Sequence, residues 1–105
     1  MAAQLTVLDS NDFLVAAPPE QEGAELMRRI SNGDSAAFET LYLDLYQRLY
    51  RFIYRMVSDQ QAAEDLVNET MMVVWEKPDG FDYTCKVSTW VFGIAYRKAL
   101  RSHAG

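Results

Sequence analysis

The chain has 105 residues, half of them hydrophobic, and carries two Trp, six Tyr and five Phe, enough for one domain with a modest core. It lacks both the run of about 18 apolar residues that a membrane span needs and the basic-then-apolar opening of a secretory signal, so no membrane insertion is expected and the expected compartment is the cytoplasm. The formal charge is −5, and the single cysteine, Cys85, and single histidine, His103, exclude a disulfide framework and argue against a metal site; nothing calls for a cofactor.

Residues 1–20 show no sustained period and end in Pro18-Pro19, which reads as a mobile leader. The domain proper is expected over residues 21–105. Gln21 to Asn32 can form a short helix with Ala24, Met27 and Ile30 on one side, ended by Gly33. Asp34 or Ser35 then caps a long helix by accepting first-turn amides. Phe38, Leu41, Leu45, Leu49, Phe52 and Met56 recur along it at steps of three and four, with Tyr42, Tyr46 and Ile53 widening the stripe. That period belongs to a helix with one buried face, running to about Val57.

Ser58 and Gln61 have the spacing of a capping box for a third helix. Ala63, Leu66, Val67, Thr70, Met71, Val74 and Trp75 fall on one side of it, and Pro78 and Gly80 stop it. Asp65, Asn68, Glu69, Met72 and Glu76 share the opposite face. A loop of roughly eight residues follows. Ser88 can cap a fourth helix from about Thr89 to Arg101, whose members Arg97 and Arg101 lie four apart on one face. Nothing reads as a strand, so the expected fold is all-α, a small bundle of three to four helices.

Charge is segregated along this order. Residues 58–82 hold seven acids against Lys77 alone, whereas residues 86–105 hold Lys86, Arg97, Lys98 and Arg101 and no acid. Two different partners would account for the split, and so would two solvated surfaces. Arg48, Arg51 and Arg55 make a further basic stripe on the second helix, read as internally paired or solvated. The Asp65/Glu69 pair has no nucleophile, histidine or phosphate loop beside it, which argues against an enzyme. A helix-turn-helix repressor would need a recognition helix after a tight turn, and the long loop before the fourth helix argues against that.

Four pieces in order carry a resemblance. Asp34-Ser35-Ala36-Ala37-Phe38-Glu39 to Leu41-Tyr42, with Leu49-Tyr50-Arg51-Phe52, looks like the opening of region 2 in extracytoplasmic-function (ECF) sigma factors of the sigma-70 family. Ala63 to Thr70 resembles that family's A-E-D-L-V-Q-E-T segment. Trp75, Phe81-Asp82, Ser88-Thr89-Trp90-Val91 and Ile94-Ala95 resemble its W…F-D…W-L…I-A tail. The resemblance covers about residues 21–102. It implies that Asp65, Asn68 and Glu69, with Met72 extending the face, dock on the β′ clamp helices of core RNA polymerase. Carboxylates there can take charge-assisted bonds from arginines, and Met72 offers an adaptable apolar contact.

The same resemblance implies that the loop and fourth helix open the minus-ten promoter element, hold its non-template strand, and take one flipped base into a pocket. The residues it points to are Tyr83, Thr84, Cys85 and Lys86 in the loop and Thr89, Trp90, Gly93, Tyr96, Arg97 and Arg101 on the helix. Phe81 and Trp90 have core packing as their competing role, and Gly93 is open to close DNA approach or to helix packing. Asn68 stands where the family usually has Gln, shortening the reach by one methylene. Gly93 and Arg97 stand where members often carry Arg and Asn, which leaves the base preference open. The family further implies an inhibitory anti-sigma partner, which is also the content of the rival reading as a protein-interaction module. A complete factor carries a second domain, region 4, after region 2, so the stop at Gly105 implies a fragment.

Overall fold

The structure is a computed structural model that describes residues 19–104; of the expected leader, residues 1–20, all but Pro19 and Glu20 lie outside them, and those two open the first helix. Four α-helices follow one another: α1 (Pro19–Ser31), α2 (Ser35–Val57), α3 (Gln60–Glu76) and α4 (Val87–Ala104). A 3-10 turn, Pro78–Gly80, leads from α3 into the loop before α4. Among the described residues there is no strand, as expected from the periodicity.

Each connection follows from local chemistry. Gly33 ends α1 at φ 83°, a left-handed conformation that costs glycine little. Its N–H donates to the Ile30 carbonyl at 2.9 Å, and the Asp34 N–H donates to that of Arg29 at 3.0 Å. Asp34 then caps α2, one carboxylate oxygen accepting from the Ala36 and Ala37 amides at 3.0 and 3.2 Å and the other from Arg29 Nε at 3.1 Å. The amide of Ala37 and the Arg29 side chain hold the Asp34 carboxyl below its ordinary pKa.

The next two caps differ from expectation. Ser58 opens no capping box: it ends α2 in the left-handed region at φ 54°, its N–H donating to the Tyr54 carbonyl at 2.8 Å. Asp59 takes the N-cap position of α3 without a side-chain hydrogen bond, and Gln61 donates to Asp65 instead. Only Ser58 and Asp59 separate the two helices, and Ser58, held left-handed as the C-cap of α2, leaves the extended N-cap position of α3 to Asp59. Likewise α4 starts at Val87, two residues before the expected Thr89, so Ser88 is inside the first turn and is not its cap.

α2 is the spine of the bundle and packs against α1, α3 and α4. Its buried line is Ala37, Leu41, Leu45, Leu49 and Ile53. The expected stripe was centred slightly off: Phe38, Phe52 and Met56 are half-buried and pack on the margin, Phe52 with its ring 5.1 Å from that of Phe92. From α3 come Ala63, Leu66, Val67, Thr70, Met71 and Val74, all buried, with Trp75 half-buried at the edge. Thr70 is the one buried polar residue among those described, and its hydroxyl is satisfied by the Leu66 carbonyl at 2.7 Å. Met27 and Ile30 of α1 and Val87, Val91, Ala95 and Ala99 of α4 complete the core.

Candidate functional site

Two surfaces emerge from this packing. The first is the outer face of α3. With Leu66, Val67, Thr70 and Met71 turned inward, Asp65, Asn68, Glu69 and Met72 are all exposed, Met72 at 51%. Neighbouring helices flank this ridge on both sides. Toward α2, the Tyr42 hydroxyl donates to Asn68 Oδ1 at 2.7 Å. Toward α4, Lys98 Nζ lies 3.9 Å from Glu69 Oε1. Asp65 accepts from Gln61 one turn earlier at 3.0 Å. Beside Asn68 and Met72 opens a hollow of about 320 Å³, floored by Phe38 and Trp75, whose rings lie 5.3 Å apart.

A tyrosine ladder runs along α2 next to this ridge, a feature read from the sequence only as a widening of the buried stripe. Tyr42, Tyr46, Tyr50 and Tyr54 stand four residues apart, consecutive rings 5.7, 6.3 and 5.9 Å apart and nearly parallel. Desolvation raises the Tyr42 and Tyr50 hydroxyls above their ordinary pKa, the nearby Glu64 adding to the effect at Tyr50.

The second surface is the loop with the exposed side of α4. Phe81 is buried and anchors the loop, its ring 5.4 Å from Trp90 and 4.7 Å from Tyr83. Tyr83 is 42% exposed and sits at φ 67°, unfavourable for a side chain this bulky. Asp82 supports that geometry: one of its oxygens accepts from the Thr84 amide at 3.1 Å and the Thr84 hydroxyl at 2.7 Å. Those bonds, the hydroxyl's first, hold the Asp82 carboxyl below its ordinary pKa.

Tyr83, Thr84, Cys85 and Lys86 line one open hollow of about 660 Å³, whose other wall is α1. Thr89, Gly93, Tyr96, Arg97 and Arg101 recur at steps of three and four along the outer side of α4; all but the half-buried Gly93 are exposed. Trp90 is half-buried against Phe81, a packing role first. The only neighbouring atom within 4 Å of where a Gly93 Cβ would stand is Arg97 Nη1, at 3.8 Å. No atom of another helix stands within 4 Å of that point, so room for a neighbouring helix is not what calls for a glycine here. Arg48, Arg51 and Arg55 are exposed and make no ion pair among the described residues.

Residues 41–104 match the family described as Sigma-70 region 2. The chain belongs to that family. The sigma-70 family comprises initiation factors and not enzymes. The chain is 28% identical over 80 residues, 76% of its length, to the RNA polymerase sigma-H factor of Pseudomonas aeruginosa. It is 33% identical over 70 residues, 66% of its length, to the ECF RNA polymerase sigma factor SigW of Bacillus subtilis. It spans 42% and 37% of the lengths of those two relatives. In three dimensions it is similar to an engineered region 2 of sigmaE, solved by NMR in complex with GTAAAA. The TM-score is 0.70 at 25% identity, covering 83% of this chain and 90% of that one. Both the region 2 resemblance and the all-helical fold expected from the sequence are thus correct. Among the described residues, no helix of this region 2 domain is long and apolar enough to cross a membrane.

Sequence reasoning missed the contribution of α1. Gln21, Ala24, Glu25 and Arg28 face the loop across the hollow. They are separated from it by more than fifty residues of chain, and no local pattern announces that encounter.

Proposed function

We propose that residues 21–105 act as the polymerase-binding and promoter-opening unit of a sigma factor working in the cytoplasm. The outer face of α3 docks on the β′ clamp helices of core RNA polymerase. Asp65 and Glu69 take charge-assisted bonds from basic side chains, and Asn68 and Met72 border a hollow fit for an apolar side chain of the partner. The loop captures one unpaired base of the non-template strand of the minus-ten element. Thr89, Tyr96, Arg97 and Arg101 track the adjoining strand along α4, and Gly93 lets the strand come close. An anti-sigma protein covering either face would silence the factor.

The observation that carries this reading is the hollow beside the loop. It combines an exposed aromatic ring, hydrogen-bonding side chains and Lys86, and the acid-free outer side of α4 follows it directly. Unstacked bases are held by that combination, with aromatic faces for the base and cations for the phosphates. The sigmaE region 2 relative, bound to GTAAAA, supports it. The test is open-complex formation by holoenzyme, assembled from the full-length protein, on promoters that differ at single minus-ten positions. Arg101→Ala should weaken binding on every promoter and reduce the salt slope by about one unit. Exchanging residues 83–86 for those of another sigma factor should change the preferred base with little effect on that slope. Equal losses on all promoters after the exchange would mean that the loop reads no base.

A further inference from the structure

The hollow has two walls, and α1 forms the second. Gly23 permits the close approach: a Cβ there would stand 3.1 and 3.2 Å from the side chain of Val87, which is buried at the start of α4. α1 is therefore seated against the first turn of α4, and its next turn faces the loop. Arg28 reaches across, its guanidinium carbon 5.5 Å from the centre of the Tyr83 ring, within cation–π range. Its Nη1 donates to Glu25 Oε1 at 3.0 Å. No other hydrogen bond runs from the Arg28 side chain to a described residue, so the remaining donors of the fork are available to the hollow. Both side chains are 59% exposed, so neither is needed to hold the core. On the facing wall, the turn at Asp82 and Thr84 fixes where Tyr83 points.

We propose that Arg28, on α1, is a specificity-determining residue of the base pocket. Stacked on Tyr83 and braced by Glu25, its guanidinium donates to a carbonyl oxygen of the captured base and so favours guanine, cytosine or thymine over adenine. This rests on the reading of the loop as a base pocket. An arginine fork has only donors and cannot accept. Guanine, cytosine and thymine each present at least one carbonyl oxygen to it. Adenine has no carbonyl: its acceptors are ring nitrogens, and it turns an amino group to the position where guanine carries O6.

The experiment uses the same holoenzyme and promoter set, with Arg28→Gln, Arg28→Lys and the exchange of residues 83–86 in parallel. Wild type should disfavour adenine at one minus-ten position by roughly fivefold or more, the lower end of what a bidentate base contact discriminates. Arg28→Gln should bring that ratio to about two or less. Arg28→Lys keeps a donor-only cation but not the planar fork that lies over Tyr83, so it should weaken the discrimination while keeping the salt slope. Thermal unfolding of both variants should match wild type. An equal drop on every promoter would make Arg28 a general charge and overturn the proposal, as would unchanged discrimination or a wild-type preference for adenine. If the loop exchange shifts the preferred base and Arg28→Gln does not, the inference about Arg28 fails while the loop reading stands. If neither shifts it, the base-pocket reading itself fails.

Discussion

Reversing two charges on α3, Asp65→Lys with Glu69→Lys, separates binding from folding. Among the described residues, Asp65 is held only by the exposed Gln61 amide, and Glu69 only by Lys98 at 3.9 Å, with 59% of the Glu69 side chain exposed. Exposed pairs of that kind contribute about 0–1 kcal/mol each, so the fold should lose little. At a polymerase interface the same carboxylates would each accept a charge-assisted bond, worth about 1.5–3 kcal/mol. Losing two gives about 3–6 kcal/mol, which is on the order of a hundredfold to ten-thousandfold in affinity. Fluorescence-anisotropy titration of labelled protein with core polymerase reads the affinity, and circular-dichroism melting reads the fold. Glu39→Lys with Asp44→Lys carries the same change in net charge on exposed positions of α2 and should leave affinity within a few-fold of wild type. Unchanged affinity in the folded α3 variant, or an equal loss in the α2 control, would refute the assignment of this face.

Leu49→Ala empties a site with no exposure at the centre of the bundle and should cost about 2–5 kcal/mol. Phe52→Ala, on the half-buried margin, should cost less, and urea unfolding compares the two. Tyr83→Gly removes a side chain from a left-handed position whose strain is about 1–2 kcal/mol; it should leave thermal stability unchanged or raised while open-complex formation falls. Because the folded Asp82 carboxyl lies below its ordinary pKa, its contribution to loop order is present above the unfolded carboxylate pKa and is lost as pH falls through the lowered folded value. Protection of the Thr84 amide, measured against its intrinsic exchange rate, should fall over that acidic window, and Asp82→Asn should abolish that pH dependence of protection.

What was legible in the sequence is what repeats within one element. Leu41, Leu45 and Leu49, or Leu66, Met71 and Val74, declare a buried face because a helix returns to the same side every three to four residues. The margins were less legible, since Phe52 and Ile53 are both apolar and only the neighbouring helices decide that Ile53 is buried and Phe52 meets Phe92. The Ser58 capping box failed because the pattern S-x-x-Q carries no information about the preceding helix, whose last carbonyls claim the Ser58 amide first. The candidate α3 and α4 surfaces were readable as exposed faces. The α1 wall of the hollow was not, because it exists only once Gly23 meets Val87 across the bundle.

Segregated charge also resolves how a chain of net charge −5 can offer a surface to nucleic acid. At about 0.1 M salt, charges are screened beyond roughly 10 Å, so a strand on α4 responds to the charges beside it and not to the sum. Three acids of the loop and the neighbouring helices have partners of their own. Asp82 accepts two hydrogen bonds from Thr84, Glu25 pairs with Arg28, and Glu69 lies by Lys98 on the α3 side. Lys86, Arg97 and Arg101 are exposed and have no ion-pair partner among the described residues. A strand approaching there meets cations whose counterions it can replace. The acids of α3 lie on a face suited to a basic partner. Under the proposed function both surfaces work at once on one small domain, since each carries the charge that its proposed partner lacks.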